Sequence, residues 1–366
     1  MLFQIYFYLI KLLKFIYIYM QIINTLYHNI LEGEKYINNL NLNNYNNTEI
    51  NHILLNSRST YFPNKIQDYI KHYMHYKITH KTKLNGKNIN INLYTISKYS
   101  NTKIHNIIFK ILLIIYLLNL YTSSNCSKNI DLDIYFTPFK RFIPTNPIHI
   151  LEPIHVNGGF STAGCHNKTS ITIYREEEWY KVLIHELFHN LDLDFATMNI
   201  DKQREILKEL IGINSKYNIY ETYCETWARI LNVMIVSFLN KKPTYRKFLS
   251  EFKILMLNEI NFSIIQSNKI MSIIINSGNK YREKTNALCY YVFTAALLSN
   301  YKDFLYWCNK HNNNNIIKFK QTKNNVDNFC QFILNCYNNQ VFFKAMQLCN
   351  NIKLGKNNHS LRMTIT

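Results

Sequence analysis

The sequence predicts an α+β fold that is mostly helical. Three observations carry this. Two short runs, Asp131 to Phe136 and Ser170 to Tyr174, alternate apolar and polar residues as half-buried strands do. After three consecutive acids, Tyr180, Leu183, Ile184, Leu187 and Leu191 fall at the i, i+3, i+4, i+7 spacing of an amphipathic helix. From residue 202 onward the apolar residues keep a helical period almost throughout.

Each element follows from local signals. Residues 1–31 form an apolar segment interrupted by Lys11 and Lys14. A signal peptide would place its charge before the apolar core and a small-residue cleavage site after it, and neither occurs. Aromatics interleaved with lysines suit an interfacial helix or membrane anchor, and Met20 offers an alternative start. Residues 1–31 are therefore the segment through which a membrane contact is expected. Residues 32–125 make up an N-terminal region, Asn-rich over 40–105 with only short apolar runs. Within it, 107–121 is a continuous apolar helix. It is short for a span and carries Lys110, so a buried core helix is expected.

A third region, 126–242, begins with the strand at 131–136, closed by Thr137-Pro138. Pro144, Pro147 and Pro153 mark a loop. Val156 to Phe160 reads as a strand edge or turn, and 170–174 as a second strand. Glu176, Glu177 and Glu178 suit a helix N-terminus, where negative charge is favoured, and the helix is predicted from about 177 to 191. Helices over 202–211 and 219–239 follow. Pro243 breaks the chain, and 243–366 is a helical C-terminal region with Asn- or Gly-rich interruptions at 276–280 and 309–315.

Composition excludes several classes. Forty-two Lys and Arg face 23 Asp and Glu, a formal charge of +19. The Asn, Ile, Lys and Tyr excess is that of AT-rich codons. The lysines are scattered, the densest group being Lys241, Lys242, Arg246 and Lys247, and no zinc-finger, RNP or P-loop pattern accompanies them. A nucleic-acid partner is not expected. The eight cysteines form no CxxC pair and lie mostly in apolar runs, so they are expected to be reduced, buried and intracellular.

The informative motif is His185-Glu186-Leu187-Phe188-His189 on the predicted amphipathic helix. Histidines four apart share a helix face and can bind one zinc ion, while the intervening Glu is placed to act on a water. Such a site needs a third protein ligand. Glu221 and Glu225 are again four apart on a predicted, largely buried helix, where two carboxylates require partners. Glu221 is assigned as third ligand, with Glu225 as the alternative and otherwise hydrogen-bonded behind a ligating histidine. Asp192 and Asp194 are further candidates just beyond His189. Asp192 and Phe195 stand where an HExxHxxGxxH site has Gly and His, so Asp192 is expected behind the ligands or at the helix end.

HELFH followed by ETYCE resembles the gluzincin arrangement, HExxH…ExxxD/E, with Glu225 where Asp is commoner. Val156-Asn157-Gly158-Gly159-Phe160, Ile173-Tyr174-Arg175 leading into Glu178-Trp179-Tyr180, and Glu221-Thr222-Tyr223 with Trp227-Ala228 are similar to a metallopeptidase family of nucleocytoplasmic large DNA viruses of the mimivirus-like kind. The family's activity is itself inferred. The resemblance covers about 130–240, and more loosely Thr285 to Cys308 and Leu361 to Thr364. It implies a zincin-like core, Zn²⁺ as cofactor, a peptide or protein substrate, and an intracellular setting in host cytoplasm or virion. In that reading Glu186 is the general base. Tyr223 is the chosen oxyanion donor, with Tyr220, His166 and Arg229 as alternatives. The competing classes are a catalytically silent zinc-stabilised scaffold or host-interaction protein, and a basic membrane-surface or nucleic-acid-binding protein.

Overall fold

The computed structural model describes residues 2–55, 59–144, 150–240, 244–313, 315–350 and 359–366. Side chains before Lys14 except Leu13 are not described, and Pro147, Lys241, Lys242 and the expected break at Pro243 lie outside the described residues. The protein is α+β and mostly helical, as its periodicities predict.

A mixed six-stranded sheet has the order β1 (Tyr45–Glu49), β2 (Tyr76–Leu84), β3 (Lys87–Thr95), β4 (Asn129–Tyr135), β7 (Lys168–Ile173), β6 (Gly159–Ser161). β1, β2 and β3 run antiparallel, β3, β4 and β7 parallel, and β6 returns antiparallel at the edge. Two further short strands, β5 (Ile150–Leu151) and β8 (Arg282–Glu283), pair in parallel. The expected boundary at 125/126 does not separate two units. β3 and β4 lie on either side of it and are hydrogen-bonded in register, Ile91 opposite Leu132 and Leu93 opposite Ile134.

The crossover between β3 and β4 is α3 (Asn101–Asn119). Its apolar run is long enough to cross a membrane by length and composition, yet ten of its residues are buried against the sheet and neighbouring helices, as expected for a core helix. α1 (Leu2–Asn38) packs on α3. At Gly33 an added Cβ would sit 2.7 Å from the Tyr116 ring, which shows how closely the two helices approach. From Tyr19 onward α1 contributes Ile22, Ile23, Leu26, Tyr27, Ile30 and Ile37 to the core, while Leu13, Ile16 and Tyr17 are exposed. The other face of the sheet is covered at one end by Phe62 and by Ile66 and Ile70 of α2 (Asn64–Tyr73), against Tyr94, Tyr135 and Tyr174.

After the single turn α4 (Pro153–Val156), the chain forms β6 and β7, then α5 (Trp179–Asn190), which lies against both strands. α6 (Asp201–Ile211) leads to α7 (Ile219–Asn240), which packs along α5. The C-terminal region is helical as expected: α8 (Tyr245–Ser277), a π-helical turn (Leu288–Phe293) running into α9 (Thr294–Ser299), α10 (Tyr301–His311), α11 (Lys323–Tyr337) and α12 (Gln340–Asn350). It packs on α7, so α7 is sandwiched and almost wholly buried.

One cysteine expectation is overturned. Cys126 and Cys165 form a disulfide, because the loop before β4 and the connection between β6 and β7 meet there with Cα atoms 4.7 Å apart. Cys224, Cys289, Cys308, Cys330 and Cys336 are free and buried as expected, and Cys349 is partly buried.

Candidate metal centre

α5 begins at Trp179, with Glu178 before it in the left-handed region at φ 60. The three acids do not act as simple dipole partners. Glu178 is a buried counter-ion of Arg141 and accepts the Thr364 amide at 2.5 Å, while Glu177 accepts the Arg141 amide at 2.8 Å. From Tyr180 to Asn190 every residue of α5 is buried. The apolar stripe faces the core, and the face carrying His185, Glu186 and His189 lines a cavity of about 240 Å³.

α7 lies alongside and delivers Glu221. His185 Nε2 is 3.1 Å and His189 Nε2 3.2 Å from the same oxygen, Glu221 Oε2. Two imidazole nitrogens and one carboxylate oxygen thus converge, a buried donor set able to hold a metal ion. The opposite side of each ligand is also held. His185 Nδ1 is 3.0 Å from Glu225 Oε2, and His189 Nδ1 is hydrogen-bonded to Asp194 Oδ2. The Asn286 side-chain amide donates to Glu221 Oε1 at 3.0 Å. These contacts direct both Nε2 atoms toward the cavity.

Glu225 is the buried hub behind the site. It accepts Lys181 Nζ at 2.8 and 3.0 Å and Arg229 Nε at 3.0 Å. Burial alone would raise its pKa, but Lys181, His185 and Arg229 hold it well below the usual carboxylate range. Burial likewise opposes ionisation of Glu221, yet the two histidines bring it to about 2. His185 and His189 move the other way. Burial pulls both down, but hydrogen bonds donated to Glu221 and Glu225 raise His185, and Cys224, Asp194 and Glu221 raise His189 well above its ordinary value.

Glu186 stands apart from His185, His189 and Glu221 on the cavity wall. Its Oε2 accepts Ser161 Oγ at 2.7 Å, and the same hydroxyl reaches the Glu186 carbonyl at 3.1 Å. Its pKa is raised by burial, which the nearby histidines and Ser161 only partly offset. β6 supplies Gly159, Phe160 and Ser161 to one wall, and Tyr61, Tyr220 and Tyr290 supply aromatic walls elsewhere.

Tyr223 departs from expectation, and of the two places expected for Asp192, behind the ligands or at the helix end, the structure shows the second. Asp192 follows the helix end with φ 55, which turns it away from His189. It meets Lys318 Nζ at 3.3 Å and Gln321 Nε2 at 3.0 Å instead. Asp194 takes the place behind His189. Tyr223 is not on the cavity: its hydroxyl donates to the Ile317 carbonyl at 2.8 Å within an aromatic cluster with Phe304, Phe319 and Phe329. His166 is exposed, and Arg229 is engaged with Glu225 and Ser263. Of the four oxyanion candidates, Tyr220 alone lines the cavity.

A second group, His189, Asp194 and Cys224, also lies close together. Its geometry is that of hydrogen bonding, with Cys224 Sγ donating to Asp194 Oδ2 at 3.2 Å while Asp194 grips His189. Sequence reasoning missed Asn286, Ser161, Tyr61 and Tyr290. The one available signal was Asn286, a lone amide opening the apolar run ALCYYVF.

Compared with known protein families, with curated proteins and with solved structures, the chain finds no match.

Proposed function

We propose that the protein is a zinc-dependent peptidase of gluzincin type, with a zincin-like core formed by the sheet, α5 and α7. One observation carries this reading. His185, His189 and Glu221 converge on a point, while Glu186 is kept out of that set by Ser161 yet faces the same cavity. A structural metal site needs only ligands, whereas a hydrolytic one also needs a free base.

Zinc held by the three ligand atoms would supply Lewis-acid polarisation of a carbonyl and acidify a water. Glu186 takes a proton from the attacking water and returns it to the departing amine nitrogen. Its buried setting favours holding that proton between the two transfers. Ser161 keeps the carboxylate oriented. Tyr220, which lines the cavity with Tyr61 and Tyr290, is taken as the donor to a developing oxyanion. β6 is an edge strand at the cavity, so an extended peptide can align along it by main-chain hydrogen bonds.

The test is metal analysis of purified protein together with a peptide-library cleavage screen of wild type against Glu186→Gln. Stoichiometric zinc in both proteins, with cleavage by wild type only, is the expected result. Wild type without zinc would sink the reading. Zinc without any Glu186-dependent cleavage would instead establish the silent, zinc-stabilised scaffold.

A further inference from the structure

We propose that the Cys126–Cys165 disulfide is a redox-modification site that sets how firmly the chain grips a metal through His189. The inference rests on the reading of His185, His189 and Glu221 as metal ligands.

The two half-cystines sit beside two of the residues that tie down the end of α5, Thr122 being a third through the Leu191 carbonyl. Next to Cys126, Ser127 Oγ donates to the Asn190 carbonyl at 2.5 Å. Next to Cys165, the Gly164 amide donates to the His189 carbonyl at 3.0 Å. The segments are also joined directly, since the Ser127 amide donates to the His166 carbonyl at 2.6 Å. The Asn190 and His189 carbonyls belong to the last turn of α5, where intrahelical donors run short, although His189 also accepts the Asp192 amide at 3.3 Å. The disulfide therefore closes a clamp around the turn that carries His189, and Ala163 of the same clamp lines the metal cavity.

The clamp is held in an uncommon conformation. Ser127 has φ 52 and Gly164 φ 88, both left-handed, and a serine stays there only while its surroundings enforce it. Severing the crosslink removes one enforcement. The Ser127 and Gly164 contacts then open more often, the last turn frays, and the Asp194 hold on His189 loosens with it.

The bond is placed for exchange. Cys126 is buried, but Cys165 is exposed, and it is the only exposed cysteine among the described residues. A dithiol reductant, small or carried by a thiol–disulfide oxidoreductase, attacks Cys165 Sγ as thiolate. A mixed disulfide forms there, and Cys126 leaves as thiolate and takes a proton. The second thiol of the reductant displaces Cys165, which is protonated in turn. The protein gains two electrons and two protons, and the reductant departs as a disulfide.

The experiment compares oxidised protein, protein reduced with dithiothreitol, and the double variant Cys126→Ser/Cys165→Ser. Zinc affinity is measured by competition with a chromophoric chelator, and amide hydrogen exchange is followed over residues 187–193. Reduction is expected to weaken zinc binding about tenfold, the lower end for losing support behind a ligand, and to speed exchange in that turn. The double variant should match reduced wild type. By reciprocity, zinc should make the disulfide about tenfold harder to reduce, read by alkylation and mass. Equal exchange in both redox states overturns the inference whether or not zinc binds, as does equal zinc affinity in both. Zinc binding in neither state overturns the proposed function instead, and the exchange comparison still decides whether the disulfide holds the helix end.

Discussion

Glu225 Oε2 lies 3.0 Å from His185 Nδ1, and the same carboxylate is the nearest anion to both Lys181 and Arg229. One buried side chain thus orients His185 and pairs with two buried cations, of which Arg229 also has Glu259 at 3.8 Å. Glu225→Gln is expected to weaken zinc binding by about 10- to 100-fold, through loss of support behind His185. It should also cost about 3–5 kcal/mol of stability, because Lys181 is left buried without its counter-ion and Arg229 keeps only Glu259. Glu221→Gln removes a ligand and should abolish stoichiometric zinc. In metal-free protein it should destabilise less, since its partners are histidines that can shed their protons. Zinc titration and thermal unfolding of both variants check this. Equal destabilisation would contradict the hub role of Glu225.

The two acids after α5 separate cleanly. Asp194 bonds His189 Nδ1, while Asp192 bonds Lys318 and Gln321 at the surface of the C-terminal region. Asp194→Asn should therefore lower zinc affinity about tenfold or more. Asp192→Asn should leave it within about twofold and cost no more than about 1 kcal/mol, as expected for a largely structural ion pair. The same chelator competition measures both. A larger loss of affinity for the Asp192 variant would reverse the assignment.

Asp192, for which the spacing leaves open a place behind the ligands or at the helix end, shows where sequence reading reaches its limit. His185, His189, Glu221 and Glu225 all lie inside helices, where a spacing of four guarantees a shared face. Asp192 lies one residue past the C-cap Leu191, in left-handed backbone, where helical extrapolation no longer holds. Asn286 and Tyr290 reach the site from more than sixty residues beyond Glu221, around a π-helical turn that no local period reveals. β3 was hidden differently. Its alternation, Lys87-Asn88-Ile89-Asn90-Ile91-Asn92, is regular, but Asn is so abundant that the pattern resembled background composition. Its asparagines, on the face opposite Ile89 and Ile91, pair across the sheet, Asn88 with Asn129, Asn90 with Asp131 and the buried Asn92 with Asp133. The disulfide had no local signature either, since its cysteines are 39 residues apart.

The tyrosines give a direct contrast. Tyr223→Phe removes a buried hydroxyl that donates to the Ile317 carbonyl, away from the cavity. It should cost about 1 kcal/mol of stability and leave kcat unchanged. Tyr220→Phe removes a hydroxyl at the cavity and should lower kcat about 10- to 100-fold with little change in KM, as for a donor that acts on the transition state. Steady-state kinetics on one cleaved peptide decides between them. An unchanged kcat for Tyr220→Phe would remove it from the mechanism.

Gly159 marks where β6 passes closest to α5. An added Cβ would lie 2.8 Å from the Thr172 carbonyl oxygen and 3.0 Å from Val182 Cγ1, with Glu186 Cγ at 3.4 Å. The first neighbour is backbone in the paired strand β7, so relief requires moving the edge strand itself. Gly159→Ala should cost about 1–3 kcal/mol and lower kcat more than it lowers zinc content, because it displaces the strand that carries Ser161. Matched zinc content with reduced kcat is the expected pair of results. Full activity would mean that the edge strand is free to shift.

The charge state of the ligands makes metal binding and stability depend on pH in opposite ways. In metal-free protein Glu221 is brought to about 2 from 4.5, so its contribution is present above the ordinary carboxylate range and lost as pH falls toward 2. His185 and His189 are raised from 6.5, so theirs is complete below 6.5 and lost as pH rises through the elevated values. Metal-free protein should therefore be most stable between about 4.5 and 6.5 and lose stability toward alkaline pH. Zinc requires neutral histidines, so its binding must expel protons and tighten as pH rises. The melting-temperature gap between loaded and chelated protein should widen from pH 6 to pH 8. Calorimetry in buffers of different ionisation enthalpy should register proton release at pH 6.5. A zinc affinity independent of pH over this range would show that the two histidines are not the groups that zinc displaces protons from.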